Sequence, residues 1–292
     1  MGRSPQAPVL LAFAVVACAL GVPGCDPGED PEPDADTAPD TEASTPSDAE
    51  AEARAEADEP FEPEREREAG ELGPPHCPQD MVLVPEDPLL GVDRAFCIDR
   101  YEASRSDASA THPGSATDIA RSIPGVLPWY ANPMTPEAMQ DFRNACAAAN
   151  KRLCESHEWF DACTGPAERT YVFGDVFDVE TCNCVDTFCD DHCAESGIPV
   201  EDCVTSANCG YTYSCYRLTP TGQFAGCTNE YGTYDVTGNL WEIVPSSTDA
   251  RGYEVRGGAF NCAGASTRLQ CSFNASWTSL YAGFRCCRDP LR

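Results

Sequence analysis

Nineteen cysteines in 292 residues constrain this chain more than any other feature. A reduced cytosolic protein of this size carries far fewer. The count points to an oxidising compartment and to a fold held by crosslinks as well as by a core. Eight of them (Cys182, Cys184, Cys189, Cys193, Cys203, Cys209, Cys215 and Cys227) fall in one stretch of low apolar content at 182–227. A segment with so little to bury needs staples. Zinc is the other chemistry such a cluster allows, but paired CxxC knuckles are missing, and disulfides are the expectation.

The charge is as uneven as the cysteines. The net charge is −29, and residues 26–75 hold 19 Asp or Glu against three Arg. That segment has one aromatic, Phe61, and almost nothing else to bury, so it is expected to be a disordered, charge-extended tether. So acidic a chain has no electrostatic reason to bind nucleic acid or a bare anionic bilayer. Residues 1–25 read as an export signal: Arg3, an apolar run from Pro8 to Val22, then Gly24-Cys25. A small residue before a cysteine after such a run resembles a bacterial lipoprotein cleavage box. Cys25 would carry the lipid, with Cys18 as the weaker alternative, and acyl chains would anchor the protein without a membrane-spanning helix. The expected setting is the bacterial cell envelope.

Residues 76–292 read as the folded domain. Met81–Pro85 and Phe96–Glu102 have the pattern of short strands. Thr135-Pro136-Glu137 is a helix start, with a hydroxyl N-cap, proline at the first position and an acid in the first turn. Met139, Phe142 and Cys146 recur on one face of that helix. A second helix is expected over about 156–163, carrying Trp159 and ending before Gly165. Cys77 and Cys97 bracket the first two strands and are placed to staple them. The histidines, His76, His112, His157 and His192, are too scattered for a metal cluster.

Six blocks in order carry a resemblance. They are Met81–Pro85, Ile98–Glu102, Lys151-Arg152-Leu153 with Glu158-Trp159, Tyr234–Glu242, Arg256-Gly257-Gly258 and Gly283-Phe284-Arg285. Together they resemble the formylglycine-generating enzyme, or sulfatase-modifying factor, family. The resemblance implies an α+β variant of the C-type lectin fold with little regular structure. It implies the disulfides Cys146–Cys286 and Cys163–Cys271. It also implies calcium held by the Asp235 side chain, the Gly238 and Leu240 carbonyls and the Glu242 side chain, an all-oxygen set suited to that ion. A second calcium site of the family falls near Asn183, inside the cysteine-rich insert.

Active members of that family hold Cu(I) between two thiolates shortly after the Gly-Gly pair and oxidise a substrate cysteine to formylglycine. Here Cys262 stands at the first thiolate position, but the second falls near Thr267, and a hydroxyl does not replace a thiolate on Cu(I). Cys271 is the one rescue, at the cost of Cys163's partner. Seventeen cysteines from Cys77 onward is an odd number, and Cys262 is the candidate for the unpaired one. The expectation is therefore a binding or structural module with a polypeptide or glycan ligand at the envelope. The alternative is a copper-dependent formylglycine-generating oxidase or a related thiol oxidoreductase.

Overall fold

The computed structural model describes residues 73–203, 209–276 and 281–292. The expected export signal with Cys25, and the expected tether up to residue 72, lie outside them. Among the described residues, two small sheets and six helices, most of them short, make an α+β fold. β1 (Met81–Val84) and β2 (Phe96–Asp99) pair antiparallel, with Met81 opposite Asp99. α1 (Pro136–Ala148) starts as its sequence dictates: the Thr135 hydroxyl accepts from the Ala138 N–H at 3.2 Å and Pro136 opens the first turn. A two-residue strand, β3 (Arg152–Leu153), leads to α2 (Ser156–Thr164). There Glu158 reaches back to the Glu155 N–H at 2.9 Å, and Gly165 ends the helix in a positive-φ cap.

The insert forms three short helices, α3 (Cys189–Ser196), α4 (Val200–Cys203) and α5 (Cys209–Tyr213). Then come β4 (Trp241–Pro245), β5 (Tyr253–Arg256), α6 (Ala265–Arg268), β6 (Asn274–Ala275), β7 (Ala282–Phe284) and β8 (Cys286–Arg288). The first sheet runs β1-β2-β8-β3 and the second β6-β5-β4-β7, with β4 and β7 parallel. β7 and β8 are consecutive yet belong to different sheets, and Arg285 is the single residue between them. The chain's last blocks therefore weld the two sheets together.

One core gathers α1 and the second sheet. Phe142 stacks on Phe284 with ring centroids 4.2 Å apart, and Trp129 meets both rings edge-on. Disulfides bind the helices to the C-terminal strands. Cys146–Cys286 ties α1 to β8, Cys154–Cys287 ties the β3–α2 turn to β8, and Cys163–Cys271 ties α2 to the segment after α6. Cys77–Cys97 fastens the start of the domain to β2. The insert carries Cys182–Cys227, Cys189–Cys209 and Cys193–Cys203. That many crosslinks suits an oxidising compartment. No helix among the described residues is long and apolar enough to cross a membrane.

Candidate functional site

The sequence blocks meet in a buried polar spine. Arg285, 1% exposed, donates from Nε to Glu242 Oε1 at 2.7 Å, from Nη1 to the Asp99 and Arg100 carbonyls at 3.2 Å each, and from Nη2 to the Tyr234 carbonyl. The other oxygen of Glu242 accepts from Trp159 Nε1 at 2.7 Å. Burial pushes Glu242 up to about 7 while Arg285 pulls it down. Both oxygens face N–H donors, and a proton on either would meet no acceptor, so this pairing holds the carboxylate ionised. Glu102 accepts from Asn239 Nδ2 at 2.6 Å and from the Leu240 N–H at 3.1 Å. Burial, then Asp235 and Glu242, raise it well above the usual carboxylate range. Lys151 spans Asp80 and Asp99, at 2.5 and 2.6 Å, and the far oxygen of Asp99 takes the Cys286 N–H at 2.9 Å.

The residues expected to hold calcium lie on the turn entering β4. Asp235 is 2% exposed, in the left-handed region at φ +55°, and its Oδ2 accepts from the Gly222 N–H at 2.6 Å. Burial raises its carboxyl to about 6. Gly238 is also left-handed, at φ +85°, and a Cβ there would lie 2.6 Å from the Asn183 carbonyl. Asn183 gives its amide to the Arg217 carbonyl, Thr219 Oγ1 and Asn239 Oδ1, while its own Oδ1 is buried with no donor. Three buried carboxylates, Glu102, Asp235 and Glu242, thus share one guanidinium, and a buried acceptor goes unused beside them. A cation would relieve that excess of negative charge, although among the described residues the three carboxylates do not gather into one ligand cluster. Glu242, however, has partners that sequence reading missed: Arg285 and Trp159 lie 43 and 83 residues away.

The Gly-Gly pair passes where nothing larger fits. A Cβ on Gly257 would stand 2.4 Å from the Val236 carbonyl, and one on Gly258 would stand 2.6 Å from Leu269 Cδ1. The chain then turns into Ala259 and Cys262, both fully buried. Trp241 Nε1 donates to Cys262 Sγ at 2.9 Å. Two expectations are corrected at this point. The free thiols among the described residues are Cys184 and Cys215, not Cys262, whose sulfur is disulfide-bonded. Cys271 is no second thiolate, because Cys163 holds its sulfur. Thr267 lies exposed on α6. These side chains do not fit Cu(I) between two thiolates.

Beside this turn lies a feature that sequence reading missed. Tyr211, Tyr216, Phe260, Tyr281 and Tyr130 form an unbroken run of rings, with successive centroids 5.4, 6.0, 5.2 and 5.3 Å apart. The four tyrosines are half-buried. The Tyr211 hydroxyl donates to the Asn261 carbonyl, which fastens α5 to the Cys262 turn. Burial raises the Tyr130 and Tyr216 phenols, and each is raised further by Tyr281. The rings come from four separate segments, so no local pattern in the sequence announces them. A separate cavity of roughly 420 Å³ opens on the outer side of α2, lined by Leu90, Phe160, Asp161, Arg169 and Tyr231. Burial lifts Asp161 to about 6 there.

Residues 96–290 match the family described as "Sulfatase-modifying factor enzyme 1-like domain". Solved structures that the chain matches include PvdO from Pseudomonas aeruginosa, 16% identical over 68% of this chain and 81% of that one, with a TM-score of 0.39. Treponema denticola variable protein 1 is 13% identical over 72% and 95%, with a TM-score of 0.43. CarF is 13% identical over 73% and 98%, with a TM-score of 0.41. No curated protein sequence matches. The family match covers most of the chain, and its blocks build the spine that joins the two sheets: the chain belongs to the sulfatase-modifying factor enzyme 1-like domain family.

Proposed function

We propose that this chain is a non-catalytic binding module of its family, exported and held at the bacterial cell envelope by lipid on Cys25, with residues 26–75 as its tether. The observation that carries the reading is the aromatic run from Tyr211 to Tyr130 beside a Cys262 turn that offers no pair of free thiols. Half-buried tyrosine rings offer rigid apolar area with a polar tip at little entropic cost, which suits a glycan or an extended polypeptide. Copper has no place in this reading. The test is binding of soluble peptidoglycan fragments and of an unfolded polypeptide by calorimetry. One of the two should bind, and Tyr281→Ala, which interrupts the run, should weaken it at least about tenfold, as loss of a central aromatic anchor does. Equal affinity in the variant would remove the strip from the account.

The same reading includes calcium at the Asp235 turn, taken by the Asp235 and Glu242 side chains and the Gly238 and Leu240 carbonyls. Its support is the excess of buried carboxylate over guanidinium and the unused Asn183 oxygen. Calcium binding only the folded state stabilises by about 2.7 kcal/mol at a hundredfold excess over its dissociation constant. Added calcium is therefore expected to raise Tm by several degrees, a chelator to reverse this, and Asp235→Ala to abolish it. A Tm indifferent to calcium in the parent chain would exclude the site.

A further inference from the structure

The eight cysteines of the insert do not resolve into four crosslinks. Three disulfides form, and Cys184 and Cys215 remain thiols. The two differ in setting. Cys184 is buried, and its sulfur is engaged by Thr187 Oγ1 at 3.4 Å and the Val179 carbonyl at 3.8 Å. Cys215 is partly exposed, and its sulfur lies within 4.8 Å of the sulfurs of both Cys189 and Cys209, which are bonded to each other. The backbone enforces this approach. Ser214 turns left-handed at φ +55°, and the Cys215 N–H closes back onto the Gly210 carbonyl at 3.1 Å, folding Cys215 over the end of α5.

We propose that Cys215 and the Cys189–Cys209 pair form a thiol–disulfide exchange site. The Cys215 thiolate attacks Cys189 Sγ. The Cys189–Cys215 bond forms as the Cys189–Cys209 bond breaks. The electron pair leaves on Cys209 Sγ, which takes up a proton equivalent to the one that Cys215 released. Nothing is oxidised or reduced overall, and no co-reactant is needed. Attack on Cys189 keeps α3 and α5 crosslinked, whereas attack on Cys209 would release α3. The tether on α5 moves from one end of the helix to the other. α5 carries Tyr211, and Tyr216 follows Cys215, so the exchange shifts the anchorage of one end of the aromatic run. The exchange itself does not depend on what that run binds. Burial pushes the Cys215 thiol up, so its reactive thiolate is scarce at neutral pH and grows as pH rises.

The test is a disulfide map of the exported full-length chain, purified without reductant. Samples held at about pH 6 and about pH 9 are acid-quenched, alkylated and mapped by mass spectrometry. Cys189–Cys215 should appear beside Cys189–Cys209, at a rate rising about tenfold per pH unit below the thiol pKa. Cys215→Ser should leave Cys189–Cys209 alone, and Cys209→Ser should give Cys189–Cys215. Should Cys209→Ser not fold, the parent map decides by itself. Full alkylation of Cys215 at every pH without any Cys189–Cys215 linkage overturns the proposal. So does a quantitative Cys184–Cys215 bond.

Discussion

Arg285→Leu is expected to cost about 3–5 kcal/mol, the usual cost of removing one partner from a buried ion pair. Against typical domain stabilities of about 5–15 kcal/mol, that is a large fraction of the whole. The guanidinium is the only residue between β7 and β8, and it serves Glu242 and three backbone carbonyls at once. Without it, in calcium-free protein, Glu242 keeps only the Trp159 N–H and becomes a buried charge with no counter-ion. Arg285→Lys should recover only part of the loss, because an ammonium cannot reach acceptors set in a planar fork. The decisive readout is a double-mutant cycle in urea followed by tryptophan fluorescence. Glu242→Gln should make Arg285→Leu markedly less damaging, with a coupling of at least about 1 kcal/mol. Additive losses, or an Arg285→Leu midpoint equal to the parent's, would show that the pair is not what joins the sheets.

That spine explains why some of the fold was legible and some was not. The blocks around Asp99, Lys151, Trp159, Glu242 and Arg285 stand out as ordered motifs because each is a station of one buried network. Their order survives in the sequence, while their partnerships, across 43 to 187 residues, do not. Glu242 could thus be read as a calcium ligand with no hint that Arg285 and Trp159 already hold it. α1 and α2 announced themselves through capping chemistry and apolar spacing, which are local signals. α3 to α5 gave no such signal. They are polar, with cysteines supplying most of their buried side chains, and crosslinks stand in for an amphipathic face. Cysteine parity indicated an unpaired thiol but carried no information about which one. Burial and partner geometry assign the free thiols to Cys184 and Cys215. The aromatic run was hidden for the same reason as the Glu242 pairing: it assembles from residues that only the folded chain brings together.

The largest stability effect is expected from the two crosslinks into β8, and it is non-additive. Cys146–Cys286 and Cys154–Cys287 close loops of 140 and 133 residues. Taken alone, either would restrict the unfolded chain by about 5 kcal/mol on the loop-entropy account. They are near-duplicates, however, since their ends lie eight residues apart on one side and adjacent on the other. With one in place, the second closes a further loop of only about nine residues, which contributes about 2.6 kcal/mol. Converting both cysteines of either pair to alanine should therefore cost about 2–3 kcal/mol and leave a folded chain. Cys163–Cys271 still closes most of that loop, so converting all four should cost about 6 kcal/mol, enough to unfold a domain at the low end of ordinary stability. Denaturation curves of the three variants, taken without reductant, separate the accounts. Two moderate losses with a collapse in the quadruple variant fit shared loop closure. Should either pair alone cost as much as both, strain or packing around that pair would govern, and the redundancy of the two crosslinks would be refuted.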